Sequence, residues 1–262
     1  MSDALERALA RRLDQVVAML ESLLDLSRPG AVERGRRLAG SAVQLAERFE
    51  IPEQFVPELA LAARLHEIGM LADRPVRPGL APVVPDTWRY TVVSRTVLDH
   101  VDDLHGAALL IEAVRENWDG SGFPGRLQQG QIPFRSRILH VLIDFYAELD
   151  RSGVQGRPMS AADAVARLAA HAGTWYDPVV ISQLEASISG GDDLEEEPAR
   201  IALPVNELVA GMVLAEDLCT SSGMKLLARG HTITPGCLDV ILQRHQADPV
   251  IAGAWVQRWT AP

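Results

Sequence analysis

Two short segments contain most of the residues that could do chemistry. Residues 65–70 read Leu-His-Glu-Ile-Gly-Met, and residues 117–124 read Asn-Trp-Asp-Gly-Ser-Gly-Phe-Pro. The adjacent His66 and Glu67 offer an imidazole and a carboxylate, the ligand types that divalent transition metals take in proteins. One histidine and one carboxylate are too few to hold a catalytic divalent ion tightly. We therefore predict no metal site here.

The second segment has the character of a tight turn, because glycine supplies backbone conformations with positive φ. Together the two segments resemble the "HDIGK" and "HHExxDGxGYP" signatures of the HD-GYP family, metal-dependent phosphodiesterases that open the bacterial second messenger cyclic di-GMP. The resemblance covers roughly residues 1–188. It implies a vestigial binding loop made of Asp119, Gly120, Gly122, Phe123 and Pro124.

The resemblance also locates the family's metal ligands, most of which this chain lacks. In active members, histidines and carboxylates hold two or three iron or manganese ions. Only His66 and its neighbour survive here as vestigial catalytic residues, the neighbour as Glu67 in place of aspartate. A one-residue shift in the last helix would recover Asp144 as a third ligand, still too few. The positions where another residue replaces the ligand are Arg34, Tyr90, Val114, Arg115 and Ile143.

Two of these replacements are arginines, whose positive charge would repel a cation. Without metals, Glu67 would be left near the centre of a helical domain, where an unpaired carboxylate is costly. We therefore expect Arg34 or Arg115 to hydrogen-bond to Glu67. Tyr90, Val114 and Ile143 are expected to fill the rest of the cavity.

The elements that must position these residues are mostly helical. Apolar periodicity predicts helices at about 31–49, 53–72, 86–99, 105–117, 133–150, 160–172 and 177–188. After an acidic segment, short apolar runs bounded by glycines predict strands at 201–205, 212–215, 225–228, 231–234 and 249–257, with a helix at 236–246.

These elements predict a mainly α fold, an HD-type helical bundle followed by a small β-rich (α+β) C-terminal domain. The predicted domains are an N-terminal coiled-coil-like helix (1–30), an HD-GYP-like helical domain (31–188), an acidic linker (189–198) and the β-rich domain (199–262).

The N-terminal segment has an apolar stripe at alternating steps of four and three, a spacing typical of coiled coils. Two alternatives stay open. The stripe either packs on its own domain, or it forms a homodimer seam or a stalk. The stripe consists of Leu9, Leu13, Val16, Leu20 and Leu23.

Composition narrows the function classes. The net charge of −10 argues against a nucleic-acid or anionic-membrane partner, which requires a basic surface. No apolar run is long enough to span a membrane and the start is not a signal peptide, so we expect a cytoplasmic protein. The two cysteines, Cys219 and Cys237, lack the spacing of a zinc or disulfide motif.

The sequence therefore predicts a catalytically inactive HD-GYP-like signalling or scaffold module of a bacterial second-messenger or two-component pathway, with no cofactor. The resemblance implies signalling proteins as partners, such as a receiver, a diguanylate cyclase or a sensor. One alternative is a metal-dependent phosphodiesterase or phosphohydrolase with an atypical site. Another is a non-catalytic cyclic di-GMP receptor, although the family's "RPYR" segment is matched only by Arg157 within 152–158.

Overall fold

The computed structural model describes residues 2–72, 89–150, 159–190, 200–250 and 253–257. The predicted fold class is confirmed, since the chain is mainly α with a few short antiparallel strands near its C-terminus. Within the described ranges, no helix is long and apolar enough to cross a membrane.

The α-helices are α1 (Ser2–Ser27), α2 (Ala31–Arg48), α3 (Val56–Leu65), α4 (Arg89–Leu98), α5 (His105–Glu112), α6 (Phe134–Asp150), α7 (Ala161–Ala169), α8 (Pro178–Ser189) and α9 (Pro235–Ala247).

The chain divides into two compact units. The first comprises Met1–Val43 and Phe55–Glu112, and the second comprises Gln44–Gln54 and Ala113–Pro262. The domain boundaries inferred from the sequence stay predictions. Most of the acidic linker, residues 191–198, lies outside the described residues, as does the segment with Arg157.

In the first unit, a half-buried ion pair joins α1 to α3. Arg64 of α3 donates from Nε to Oε1 of Glu21 at 2.8 Å, and Glu21 is only 5% exposed. Val17 and Leu24 are buried on the same side of α1. The inner face of α1 therefore runs through residues 17, 21 and 24.

That face differs from the apolar stripe seen in the sequence. Leu9 and Leu23 are each 49% exposed, while Leu13, Val16 and Leu20 are half-buried. The residues of the stripe are therefore not all on one side of α1: three are half-buried and two are exposed. Helix α1 ends at Ser27, just before Pro29-Gly30.

Two predicted helices are shorter than expected. The helix predicted at 53–72 is α3 flanked by 3₁₀ turns at Glu53–Phe55 and Ile68–Ala72. The helix predicted at 105–117 ends at Glu112, because the chain enters the glycine-rich loop. Periodicity alone does not separate a helix from the turns that continue its apolar pattern.

In the second unit, caps define the helix ends. Ser160 accepts the backbone N–H of Asp163 at 3.1 Å at the start of α7, as an N-cap serine does. Asp177 accepts the N–H of Val179 at 2.9 Å at the start of α8, whose first residue is Pro178.

The C-terminal strands are fewer than predicted. Strands β1 (Arg200–Leu203) and β4 (Ala254–Gln257) pair antiparallel, as do β2 (Leu218–Cys219) and β3 (Lys225–Leu227). The runs at 212–215 and 231–234 form only isolated bridges, Val213 to Thr232 and Leu214 to Val256. Because these runs are short and end at glycine turns, they form single bridges and no continuous ladder of hydrogen bonds.

Hydrogen bonds from buried charged side chains connect the C-terminal segment to the helices of the second unit. Arg137 of α6 is 3% exposed and donates to Asp177 at 3.0 Å and to the carbonyl oxygen of Ala202 in β1. Glu207 accepts the first backbone N–H of α6, that of Phe134, at 3.0 Å. A carboxylate at a helix N-terminus is favourable because unsatisfied N–H groups and the helix dipole converge there.

Candidate functional site

The first polar cluster surrounds the retained histidine and glutamate. His66 is the C-cap of α3, and Glu67 follows in the turn before Ile68–Ala72. The two residues are 7% and 6% exposed. Arg34 comes from the first turn of α2, and Arg28 from the bend between α1 and α2. These four residues form the Glu67 cluster, which lies in the first unit.

Arginines occupy both oxygens of Glu67. Arg34 donates from Nε to Oε1 and from Nη2 to Oε2, each at 2.8 Å, in a two-bond fork. Arg28 donates from Nε to Oε2 at 2.9 Å. The predicted hydrogen bond between an arginine and Glu67 is therefore confirmed for Arg34. Arg28 was not anticipated, since nothing in its local sequence marks it as a site residue.

The arginines keep Glu67 ionised despite its burial. Burial by itself would raise the pKa of the Glu67 carboxyl. The hydrogen bonds from Arg34 and Arg28 and the nearby His66 outweigh this effect and lower the pKa to about 2. Glu67 is thus a carboxylate at any pH near neutral.

His66 is held by the backbone. Its Nδ1 lies 2.8 Å from the carbonyl oxygen of Ala63, which can only accept a hydrogen bond, so Nδ1 carries the proton. Its Nε2 lies 3.8 Å from Oε1 of Glu67. The histidine and the carboxylate are therefore neighbours, but that separation is too long for a direct hydrogen bond.

Close packing explains the glycine that follows them. A Cβ atom on Gly69 would lie 2.0 Å from the carbonyl oxygen of Tyr90 and 2.6 Å from the nitrogen of Ser94, both in α4. The N–H of Gly69 donates to Oγ of Ser94 at 2.9 Å. Tyr90 is buried at 5% exposure, and Met70, at the family's lysine position, is half-buried. Gly69 thus lets α4 pack against the turn that carries Glu67.

The second polar cluster surrounds Asp144 of α6 and lies in the second unit. Arg115 donates from Nη1 to Oδ1 of Asp144 at 2.7 Å. The hydroxyl of Tyr176 donates to Oδ2 at 2.9 Å, and Nε2 of His140 lies 3.3 Å from the same oxygen. We call these four residues the Asp144 cluster. Arg115 therefore pairs with the carboxylate that a one-residue shift would recover.

The charges in this cluster shift two pKa values in opposite directions. Burial opposes ionisation of Asp144, but His140 and Arg115 outweigh it and hold the pKa of its carboxyl well below the usual range. Burial and the adjacent carboxylate raise the pKa of Tyr176 above its ordinary value. Tyr176 thus remains a neutral hydrogen-bond donor, and Asp144 remains an anion.

Two more of the substituted positions, Val114 and Ile143, carry apolar side chains. Val114 is fully buried, and Ile143 is half-buried. Neither can donate a lone pair to a metal. Their role in filling the cavity around Glu67 stays a prediction.

The glycine-rich loop forms a tight turn. Gly120 has φ +84°, and a Cβ on Gly122 would lie 2.1 Å from the nitrogen of Asn117. Asp119 is exposed and accepts the N–H of Ser121 at 2.9 Å. The Phe123–Pro124 bond is cis, and the Phe123 ring is 37% exposed. The backbone therefore requires both glycines, as the sequence predicted for the turn.

Glu116 anchors the far side of this loop. It is 2% exposed and accepts the N–H groups of Leu127, at 2.9 Å, and of Gly125. A pocket of about 10 Å³ lies beside it, room for about one water molecule. The pocket is lined by Glu116, Trp118, Ile132, Arg137, His140, Trp175, Tyr176 and Asp177.

Sequence reasoning missed Arg28, Tyr176 and His140 as members of the two clusters. His140 is buried beside Asp144. In the ranges that the structure describes, no group of three or more His, Cys, Asp or Glu side chains is placed to hold a metal ion. Two further potential ligands meet at the surface, where Nδ1 of His105 lies 3.0 Å from Oδ1 of Asp99.

Comparison with known proteins places these clusters in a family. The model of the HD domain family matches residues 18–180. The chain is 28% identical over 176 residues to a cyclic di-GMP phosphodiesterase of Thermotoga maritima, covering 64% of this chain and 46% of the relative. It is 27% identical over 229 residues to a probable cyclic di-GMP phosphodiesterase of Vibrio cholerae serotype O1, covering 78% of this chain and 52% of the relative.

A solved structure agrees in fold. The crystal structure of a cyclic GMP-AMP-specific phosphodiesterase of Vibrio cholerae superposes with a TM-score of 0.52 at 17% identity, over 67% of this chain and 48% of that one. This chain thus spans about half the length of the relatives it matches.

Proposed function

The chain belongs to the HD domain family, and we propose that it is a member whose metal-binding carboxylates are occupied by arginines. On this proposal it works as a signalling or scaffold module that binds other molecules and does not hydrolyse cyclic di-GMP. The two-bond fork between Arg34 and Glu67 is the observation that carries the proposal.

The fork opposes metal binding in two ways. A divalent ion needs the oxygen lone pairs of Glu67, and the guanidinium groups of Arg34 and Arg28 already use both oxygens. A second positive charge near these groups would also be repelled. Iron or manganese would have to displace two arginines to reach this carboxylate.

The Asp144 cluster supports the same conclusion independently. Both oxygens of Asp144 have partners, Arg115 on one and Tyr176 with His140 on the other. Of the three other substituted positions, Val114 and Ile143 have no donor atoms in their side chains, and Tyr90 offers a buried phenol in place of an imidazole. The side chains present therefore do not fit the iron or manganese centre that the family resemblance implies.

The proposed pathway follows from the relatives. Two of them are named cyclic di-GMP phosphodiesterases, one as probable, so we propose a role in bacterial second-messenger or two-component signalling, in the cytoplasm. The proposed partners are signalling proteins such as a receiver, a diguanylate cyclase or a sensor. The net charge of −10 supports a partner other than nucleic acid or an anionic membrane.

Metal content and turnover test the proposal together. Purified protein is incubated with Mn²⁺, or with Fe²⁺ without oxygen, dialysed, and assayed for bound metal and for cyclic di-GMP hydrolysis. We expect less than one tightly bound metal per chain and no hydrolysis. One or more tightly bound metals, with turnover that His66→Ala abolishes, would show an active phosphodiesterase.

Calorimetric titration with cyclic di-GMP separates the remaining alternative. Binding without hydrolysis would identify a non-catalytic receptor, with the arginine clusters still in place of the metal centre. An absence of both binding and hydrolysis leaves protein–protein binding as the function that the proposal assigns.

A further inference from the structure

The hairpin formed by β2 and β3 places a cysteine opposite the only lysine of the chain. Cys219 of β2 is the antiparallel partner of Lys225 of β3, and the sequence contains no other lysine. The Cβ atoms of directly opposed residues in antiparallel strands lie about 5 Å apart, and their side chains are on the same face of the sheet. The thiol and the amine are therefore attached to one face of one hairpin.

Both side chains are open to solvent. Cys219 is a free and exposed cysteine, whereas the residue before it, Leu218, is only 2% exposed and packs inward. The side chain of Lys225 is 56% exposed. A reagent in solution can therefore reach both nucleophiles.

An ion pair directs the lysine side chain along the cysteine. Nζ of Lys225 lies 2.5 Å from Oδ2 of Asp217, and Oδ1 of Asp217 accepts the backbone N–H of Arg229 at 2.8 Å. Asp217 precedes Cys219 by two residues. Because Lys225 begins opposite Cys219 and its amine ends at Asp217, its side chain runs past the cysteine.

We propose that Cys219 and Lys225 form an acyl-transfer site, at which Cys219 accepts an acyl group from a small acyl thioester and passes it to the amine of Lys225. The product is a chain that carries an amide at its single lysine. Acylation removes the positive charge of Lys225 and with it the ion pair to Asp217.

The transfer consists of two balanced steps. The thiolate of Cys219 attacks the carbonyl carbon of the thioester, a new C–S bond forms, and the small thiol leaves with its electron pair and takes up a proton. The neutral amine of Lys225 then attacks the same carbonyl carbon, so that a C–N bond forms and the bond to Cys219 breaks. The nitrogen loses a proton, the thiol of Cys219 is regenerated, and neither step requires an oxidant or a reductant.

The neighbouring thiol overcomes the low reactivity of this lysine. The hydrogen bond to Asp217 raises the pKa of Lys225, and a thiolate at Cys219 acts in the same direction. The free amine is therefore scarce near neutral pH, and direct acylation from dilute solution is slow. A thioester held on Cys219 makes the second step intramolecular, which raises the effective concentration of the acyl group.

The ion pair does not prevent the transfer. The side chains of Lys225 and Asp217 are 56% and 42% exposed. Exposed ion pairs are weak because water solvates both charges. The amine can therefore leave Asp217 and turn toward an acyl group on Cys219.

Acetylation rates test the requirement for the thiol. Wild type, Cys219→Ser and Cys237→Ser are incubated with acetyl-coenzyme A at pH 8, and acetylated Lys225 is quantified by mass spectrometry after proteolysis. We expect Cys219→Ser to slow acetylation of Lys225 by at least about tenfold, because the intramolecular step is lost. Cys237→Ser, which removes the other cysteine, in α9, should react at the wild-type rate. Equal rates in all three proteins, no acetylation of the wild type, or a loss confined to Cys237→Ser would refute the proposal.

Removal of the acceptor tests the order of the two steps. In Lys225→Arg the acyl group has no amine to move to, so we expect an acetyl thioester to accumulate on Cys219 and to be cleaved by neutral hydroxylamine. The acetyl group on Lys225 of the wild type should resist the same treatment, because it is held by an amide bond. Circular dichroism checks that each variant is folded. If no thioester forms on Cys219 in the folded Lys225→Arg protein, the cysteine is not the first acceptor and the proposal is wrong.

Discussion

The substitution Glu67→Gln tests whether the arginine-bound carboxylate stabilises the fold. It keeps the size of the side chain and removes its charge. The pKa of Glu67 falls from 4.5 to about 2 on folding, a preference for the charged form of about 3 kcal/mol. The side chain of Glu67 is 8% exposed, but those of Arg34 and Arg28 are 35% and 40% exposed and can be rehydrated. We therefore expect a loss of about 2–3 kcal/mol in the free energy of unfolding at pH 7.

The same pair predicts a pH dependence with a definite sign. Because folding lowers the pKa of Glu67, its stabilising contribution is fully present above about pH 4.5 and is lost as the pH falls through about 2. Roughly 2 kcal/mol of it should be gone by pH 3. The stability difference between wild type and Glu67→Gln should therefore shrink to about 1 kcal/mol at that pH.

Urea denaturation at pH 7, 5, 4 and 3, followed by circular dichroism, measures both effects. Glu47→Gln, the same chemical change at an exposed position of α2, is the control and should shift the free energy of unfolding by less than 0.5 kcal/mol. A difference between wild type and Glu67→Gln below about 1 kcal/mol at pH 7 would contradict the reasoning. So would a difference of equal size at pH 7 and pH 3.

Three further variants probe neighbouring contacts, each by urea denaturation at pH 7. Arg34→Lys should cost about 1–2 kcal/mol, since a lysine cannot form the two-bond fork with Glu67; a neutral result would indicate that the fork is not formed. Tyr176→Phe should cost about 1 kcal/mol, because Asp144 loses one hydrogen-bond donor; an unchanged stability would place the hydroxyl in water. Gly69→Ala should cost about 2 kcal/mol or more, since its Cβ would overlap the backbone of α4, and stability equal to wild type would contradict that packing.

The fold class was readable from the sequence because helical periodicity and turn chemistry are local. Helices α2, α6 and α8 begin and end within about two residues of their predicted limits. The glycine-rich segment was recognised as a turn for the same reason. The ends of α3 and α5 were missed, since turns that pack against neighbouring helices continue the apolar pattern without being helical.

Only part of the candidate site could be predicted from the sequence. The presence of Arg34 and Arg115 at two ligand positions follows from matching this chain to a family pattern. The family pattern does not say which carboxylate each arginine binds, because these pairs join residues 33 and 29 positions apart in the chain. Arg34 binds Glu67 as expected, whereas Arg115 binds Asp144.

The sequence by itself thus determined the helices, the turns and the residue types available for chemistry, since each depends on neighbours a few positions away. Only the tertiary structure decided which charges meet and which face of α1 is buried. Arg28 reaches Glu67 because the bend after α1 lies beside the turn after α3. The pair between Glu21 and Arg64 selects the inner face of α1 from apolar residues that periodicity could not rank. Burial and charge pairing depend on contacts between segments that are distant in the chain, and the local sequence does not predict those contacts.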